Sequence, residues 1–132
     1  MSSLDTLFEA AKAMQAKAYV PYSRFKVGAA IRTPGGGIYA GCNVENAAYP
    51  QGACAETGAI SSMIAAGESR IAEILVIGNG EELVTPCGGC RQRIREFASA
   101  DTPIHIAGQD GVRRSFTLED LLPFSFGPDH LK

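Results

Sequence analysis

Apolar residues near the start recur at three- and four-residue steps: Leu4, Leu7, Phe8, Ala11, Met14 and Ala18. That period predicts an amphipathic packing helix capped by Ser3, and no chemistry attaches to it. Val20-Pro21-Tyr22-Ser23 ends the helix, because proline cannot continue one and restricts the residue before it. Phe25 to Thr33 then reads as a strand. Pro34-Gly35-Gly36-Gly37 is a strong turn signal, so Ile38 to Asn43 is expected to return as the antiparallel partner.

Further along, Ala55 to Ala66 has helical period, with Ile60, Met63 and Ile64 on its apolar face and Gly67 in the usual stop position. Ile71 to Ile77 is an apolar run of strand length. Cys87 opens another helix, with Ile94 and Phe97 inward and Arg91, Arg93 and Arg95 mostly outward. Ile104 to Ala107 reads as a strand in which His105 alternates with isoleucines, as a solvated or internally satisfied histidine rather than a ligand. Arg113 to Phe116 adds a fifth strand, Thr117 caps a short helix through Leu122, and Pro123 to Pro128 forms an irregular aromatic tail. Helix, two strands, then alternating helix and strand predict an α/β fold. The expected architecture is a three-layer α/β/α domain around a mixed five-stranded sheet, with residues 1–132 as one domain.

Composition narrows the function classes. The chain has 132 residues, 45% hydrophobic and 20% charged, with a formal net charge of −2 and a pI near 5.6. No basic stripe invites a nucleic-acid backbone, which disfavours a tRNA or DNA substrate. The opening Met1-Ser2-Ser3-Leu4-Asp5 lacks the basic and apolar regions of a signal peptide, and no run is long and apolar enough to span a membrane. Four cysteines without an export signal fit a reducing cytoplasm.

The chemistry concentrates in Cys54-Ala55-Glu56 and Thr85-Pro86-Cys87-Gly88-Gly89-Cys90. Two cysteines two residues apart at a helix start can place both sulfurs on one metal, and Cys54 supplies a third. Tetrahedral zinc accepts thiolates, and a catalytic zinc keeps a fourth position open. Cys-x-Glu followed by Pro-Cys-x-x-Cys is the pattern of zinc nucleoside deaminases, with cysteine where others carry histidine. Three competing readings are a thioredoxin-like redox pair, simple buried cysteines, and a closed structural zinc. The last needs a fourth ligand, and Cys42, His105 and His130 stand at no useful spacing. Three ligands favour catalysis.

Three thiolates on a divalent ion leave a net charge of −1, which weakens its Lewis acidity. Two helix N-termini, each worth roughly +0.5 of a charge, would offset most of that excess, and Arg91 can add to it. Glu56 is the proton carrier: it takes a proton from the attacking water, passes it to ring nitrogen 3, and protonates the amine leaving carbon 4. The polar stretch Asn43 to Pro50, close before Cys54, reads as a binding loop.

With these stretches, Tyr22 to Ala30, Gly41 to Pro50 and Leu121 to Pro128, nearly the whole chain resembles the small, homotetrameric, zinc-dependent cytidine deaminases. The resemblance implies one zinc per chain on Cys54, Cys87 and Cys90, with Glu56 as proton shuttle. It implies that Asn43 and Glu45 hold the ribose 3′-hydroxyl and that Phe25 packs against the pyrimidine. The Ala55 N–H would meet the carbonyl oxygen at position 2, and the Thr85 carbonyl the exocyclic amine. Tyr49 and Phe126 would reach a neighbouring subunit's site. The family converts cytidine and deoxycytidine to the uridines in pyrimidine salvage. The nearest rival is a deaminase of a related aminated pyrimidine nucleoside such as blasticidin S. A non-catalytic zinc or redox module would have no use for Glu56. One departure stands out: an arginine usually follows the glutamate, and here the residue is Thr57, so Arg91 or another partner is expected to replace it.

Overall fold

The computed structural model describes residues 2–131; Met1 and Lys132, the ends of the expected domain and the first residue of the leader reading, lie outside them. Helix α1 spans Ser3–Gln15, and its cap is Ser2 rather than Ser3. The Ser2 hydroxyl accepts the Asp5 N–H at 3.0 Å, while the Asp5 carboxylate accepts the Ser2 N–H. Ser3 has no acid three residues on, whereas Ser2 does, and this reciprocal pair fixes the start.

Strands β1 (Gly28–Arg32), β2 (Ile38–Cys42), β3 (Glu73–Ile77), β4 (Pro103–Gly108) and β5 (Gly111–Thr117) form one sheet in the order β2-β1-β3-β4-β5. The β3–β4 pair is parallel and the other pairs are antiparallel, so the sheet is mixed. A parallel pair needs a crossover, and α3 (Gly88–Phe97) supplies it. Helix α2 (Ala55–Ala65) joins β2 to β3, and α4 (Leu118–Leu121) follows β5.

Side chains alternate across each strand, so neighbours in β1 and β3 serve different layers. Leu7 and Ala11 of α1 pack on Ala30, Leu75 and Ile77. Ala59, Met63 and Ile94 from α2 and α3 pack on Ile31, Ile74 and Val76 from the other side. Burial on both faces explains why β3 reads as an unbroken apolar run. Two glycines set the layer spacing. A Cβ on Gly41 would lie 2.4 Å from the Ala59 nitrogen, and one on Gly28 would lie 2.1 Å from the Ala11 carbonyl oxygen. The fold is the expected three-layer α/β/α arrangement with a mixed five-stranded sheet.

Local differences have physical causes. The strand expected from Phe25 begins only at Gly28, because side-chain amides rather than a partner strand take the backbone carbonyls of residues 24–26. Ile64 is 45% exposed and not part of the α2 core face. His105 is satisfied within the sheet: Nε2 pairs with Glu73 at 2.8 Å and Nδ1 with Ser115 at 2.7 Å. Thr117 caps α4 as expected.

Candidate metal centre and active site

Cys54 is the N-cap of α2 and Cys87 the N-cap of α3, with Cys90 in the first turn behind it. Neither N-cap makes a side-chain capping hydrogen bond. The sulfurs of Cys54 and Cys87 stand 4.0 Å apart, and all three sulfurs lie within 4.8 Å of one another. Tetrahedral zinc with bonds of about 2.3 Å spaces its thiolates roughly 3.8 Å apart, so the set fits that ion. Among the described residues no fourth Cys, His, Asp or Glu joins the cluster, and Cys42, His105 and His130 are not part of it.

Electrostatics around the sulfurs pull both ways. Burial pushes the Cys54 thiol up and the Cys90 thiol far up, while the Cys90 N–H draws Cys87 below its ordinary value. That N–H influences Cys87 without the geometry of a capping bond. A divalent ion removes thiol protons outright, so this donor set suits a metal better than it suits free thiols. Glu56, 4% exposed in the first turn of α2, has its carboxyl pushed up by burial, against the opposing pull of its own N–H and of Arg93.

Arg91 is not the thiolates' partner. Its guanidinium donates to the Pro86 carbonyl at 2.7 Å, the Leu121 carbonyl at 2.7 Å and the Thr85 hydroxyl at 3.0 Å, tying the Thr85-Pro86 approach to α4. Arg93, expected to point outward, instead brings Nη1 to 3.6 Å from the Cys90 sulfur. Its position three residues after Cys90 puts both on one helix face, a signal visible in the sequence.

Two cavities meet at Cys54 and Asn43. The inner one, about 170 Å³, is bounded by Glu56, Ala55, Thr85, Cys54 and Cys87. The outer one, about 500 Å³, is bounded by Ser23, Glu45, Asn46 and Tyr49, and Asn43 and Cys54 border both. Asn43 donates from Nδ2 to the Phe25 carbonyl and accepts the Val27 N–H at Oδ1, both at 2.9 Å. One donor and one acceptor position of its amide remain. Glu45 accepts the N–H groups of Tyr22 and Ser23 and the Ser23 hydroxyl. The Ser23 hydroxyl, with those N–H groups, holds the carboxyl below its usual range. Sequence reasoning missed Ser23 because its partner is 22 residues away.

Phe25 and Phe126 line neither cavity. Phe25, 39% exposed, lies in the chain between Ser23 of the outer cavity and Val27 of the inner one, and Phe126 is 58% exposed and stacked on His130 at 5.0 Å. Tyr49 is 76% exposed at the edge of its own chain's outer cavity. A larger cavity of about 620 Å³ lies by Arg95, Phe124 and Asp129, but no thiol and no buried acid lines it.

The model of the cytidine and deoxycytidylate deaminase zinc-binding region matches residues 1–106. The chain belongs to the cytidine deaminase family. A cytidine deaminase of Sporosarcina psychrophila is 38% identical over 97% of this chain and 94% of its own. One from Mycobacterium tuberculosis is 39% identical over 88% of this chain and 84% of its own. The crystal structure of cytidine deaminase from Burkholderia pseudomallei superposes with a TM-score of 0.88 at 43% identity, covering 96% of this chain and all of that one. Among the described residues no helix is long and apolar enough to cross a membrane.

Proposed function

We propose that this chain catalyses the hydrolytic deamination of cytidine and deoxycytidine: nucleoside and water become uridine or deoxyuridine and ammonia. The carrying observation is three sulfurs within 4.8 Å of one another, with no fourth protein ligand among the described residues, beside the buried acid Glu56. Cys54, Cys87 and Cys90 would hold one zinc per chain, which supplies the Lewis acidity that makes water a nucleophile near neutral pH. Glu56 accepts a proton from the attacking water and delivers it to ring nitrogen 3. It then takes the proton of the new carbon-4 hydroxyl and gives it to the amine, which leaves as ammonia while the carbonyl forms. Burial raises the Glu56 pKa toward the working range, where one carboxyl can serve as base and then acid. The Ala55 N–H, at the uncapped start of α2, is free to meet the carbonyl oxygen at position 2. The Thr85 carbonyl is assigned to the exocyclic amine, with Arg91 holding that segment in place. Asn43 and Glu45 take the ribose 3′-hydroxyl with their remaining hydrogen-bonding positions, and Phe25 covers the pyrimidine.

Purified protein with one zinc per chain should release equimolar ammonia and uridine from cytidine, and act far more slowly on blasticidin S. The reverse preference would replace this reading with the antibiotic-directed one. We place the enzyme in pyrimidine salvage and in the cytoplasm, where cysteines stay reduced.

We also infer one domain per chain and a homotetramer with shared sites. Phe126 lines neither cavity at the cysteines and Phe124 is 99% exposed, which suits contributions to a neighbour by Phe126 and Tyr49. Co-expressing Glu56→Gln chains with Phe126→Ala chains, each severely impaired alone, should restore about a quarter of the sites by random symmetric assembly. Recovery near zero from well-mixed oligomers would refute sharing.

A further inference from the structure

The segment from Tyr22 to Val27 carries Phe25 and borders the outer cavity at Tyr22 and Ser23 and the inner one at Val27, yet belongs to no strand. Backbone groups there still need partners, and side chains supply them. Three consecutive carbonyls each receive an amide from a different part of the chain. Asn79 Nδ2 donates to Arg24 at 3.4 Å, Asn43 Nδ2 to Phe25 at 2.9 Å, and Gln15 Nε2 to Lys26 at 3.0 Å. Arg24, at the start of this clamp, has φ of 59°, a left-handed conformation that a non-glycine residue holds only when its surroundings impose it.

Asn43 already has a binding role, but Gln15 and Asn79 have none. Gln15, at the end of α1, is only 5% exposed. Its Nε2 also donates to Asn79 Oδ1 at 3.2 Å, and its Oε1 accepts Gln109 Nε2 at 2.8 Å. A chain of amides thus links the residue after β4, the end of α1 and the loop after β3 to the segment that presents Phe25. Gln15 is the buried centre of this network, and its directional hydrogen bonds specify one geometry more sharply than an apolar contact does.

We propose that Gln15 and Asn79 are positioning residues for nucleoside binding, holding residues 24–26 so that Phe25 stands at the height of the pyrimidine. This rests on the reading that Phe25 covers the ring. The alternative is that the amides only fasten α1 to the sheet.

Gln15→Met keeps the side-chain length and removes its hydrogen bonds; Asn79→Ala, at a less buried position, serves if that variant folds poorly. For either, KM for cytidine should rise on the order of fivefold, the factor that one or two lost hydrogen bonds represent. Turnover and zinc content should stay near wild type, since the metal site is untouched. Thr102→Ala is the control: Thr102 is also buried, at 4% exposure, and its hydroxyl accepts the Ser99 N–H at 3.0 Å, far along the chain from this segment. An unchanged KM in both amide variants, or a rise no greater than that of Thr102→Ala at equal loss of Tm, overturns the proposal. Phe25→Ala separates the two readings. If it raises KM while the amide variants do not, only the positioning role falls; if it too leaves KM unchanged, the assignment of Phe25 to the nucleoside falls with it.

Discussion

The helices of this chain begin in two ways. Helices α1 and α4 start with reciprocal capping boxes, Ser2 with Asp5 and Thr117 with Asp120. Helices α2 and α3 start at Cys54 and Cys87, without a side-chain cap. An oxygen cap is worth about 1 kcal/mol, so the two cysteine starts forgo stability that the packing helices keep. In return, the positive ends of two helices converge beside three sulfurs and a buried acid. Where only folding is at stake the N-cap is an oxygen, and where a metal must be held it is a sulfur.

Replacing one sulfur by oxygen sets the two roles against each other and carries the largest expected effect. Cys54→Ser provides a better cap and a poorer ligand. Zinc content by atomic absorption should collapse and ammonia release should fall to background, while the metal-free protein melts no lower than metal-free wild type. Retained zinc and activity would break the comparison. Glu56→Gln comes next: zinc and fold stay, and turnover falls on the order of 10²–10⁴, because an amide cannot carry protons. Near-normal turnover in steady-state assays would remove Glu56 from the mechanism.

A smaller effect belongs to Arg93, a cation beside the Cys90 sulfur where Thr57 offers none. Arg93→Met should lower turnover by no more than about fivefold, the most that an exposed, screened charge is worth. Arg93→Lys should recover part of the loss, and the difference between Met and Arg should shrink as salt is added. Equal behaviour of Arg93→Met and wild type at low salt would assign the compensation to the helix ends alone. The smallest effect sits on the other side of the comparison. Ser2→Ala should cost about 1 kcal/mol of stability in urea titration and leave kcat unchanged.

Much of this was legible in the sequence because its signals are local. The spacing of Cys54, Glu56, Cys87 and Cys90 gave the donor set, and the period of Leu4 to Ala18 gave α1. The apolar run of β3 and the glycine turn after Thr33 marked the sheet. What was not legible depends on partners distant in the chain. Phe25 to Val27 has strand-like composition, but Asn43 and Gln15 claim the Phe25 and Lys26 carbonyls before a neighbouring strand can. The Ser23–Glu45 pairing and Arg91's attachment to Leu121 are equally non-local. Arg93 and Ser2 are different cases: their spacings from Cys90 and Asp5 were present in the chain, and helix geometry alone placed them.

The most direct test of the central claim is a zinc titration of metal-free protein, following ammonia release from cytidine and proton release together. Activity should rise linearly and stop at one zinc per chain. Protons should appear over the same range, because burial keeps the Cys54 and Cys90 thiols protonated until the metal displaces them. Since protons compete for those sulfurs, zinc should bind more weakly as the pH falls. Full activity in the stripped protein, or a rise that continues well past one equivalent, would contradict a single catalytic zinc on Cys54, Cys87 and Cys90.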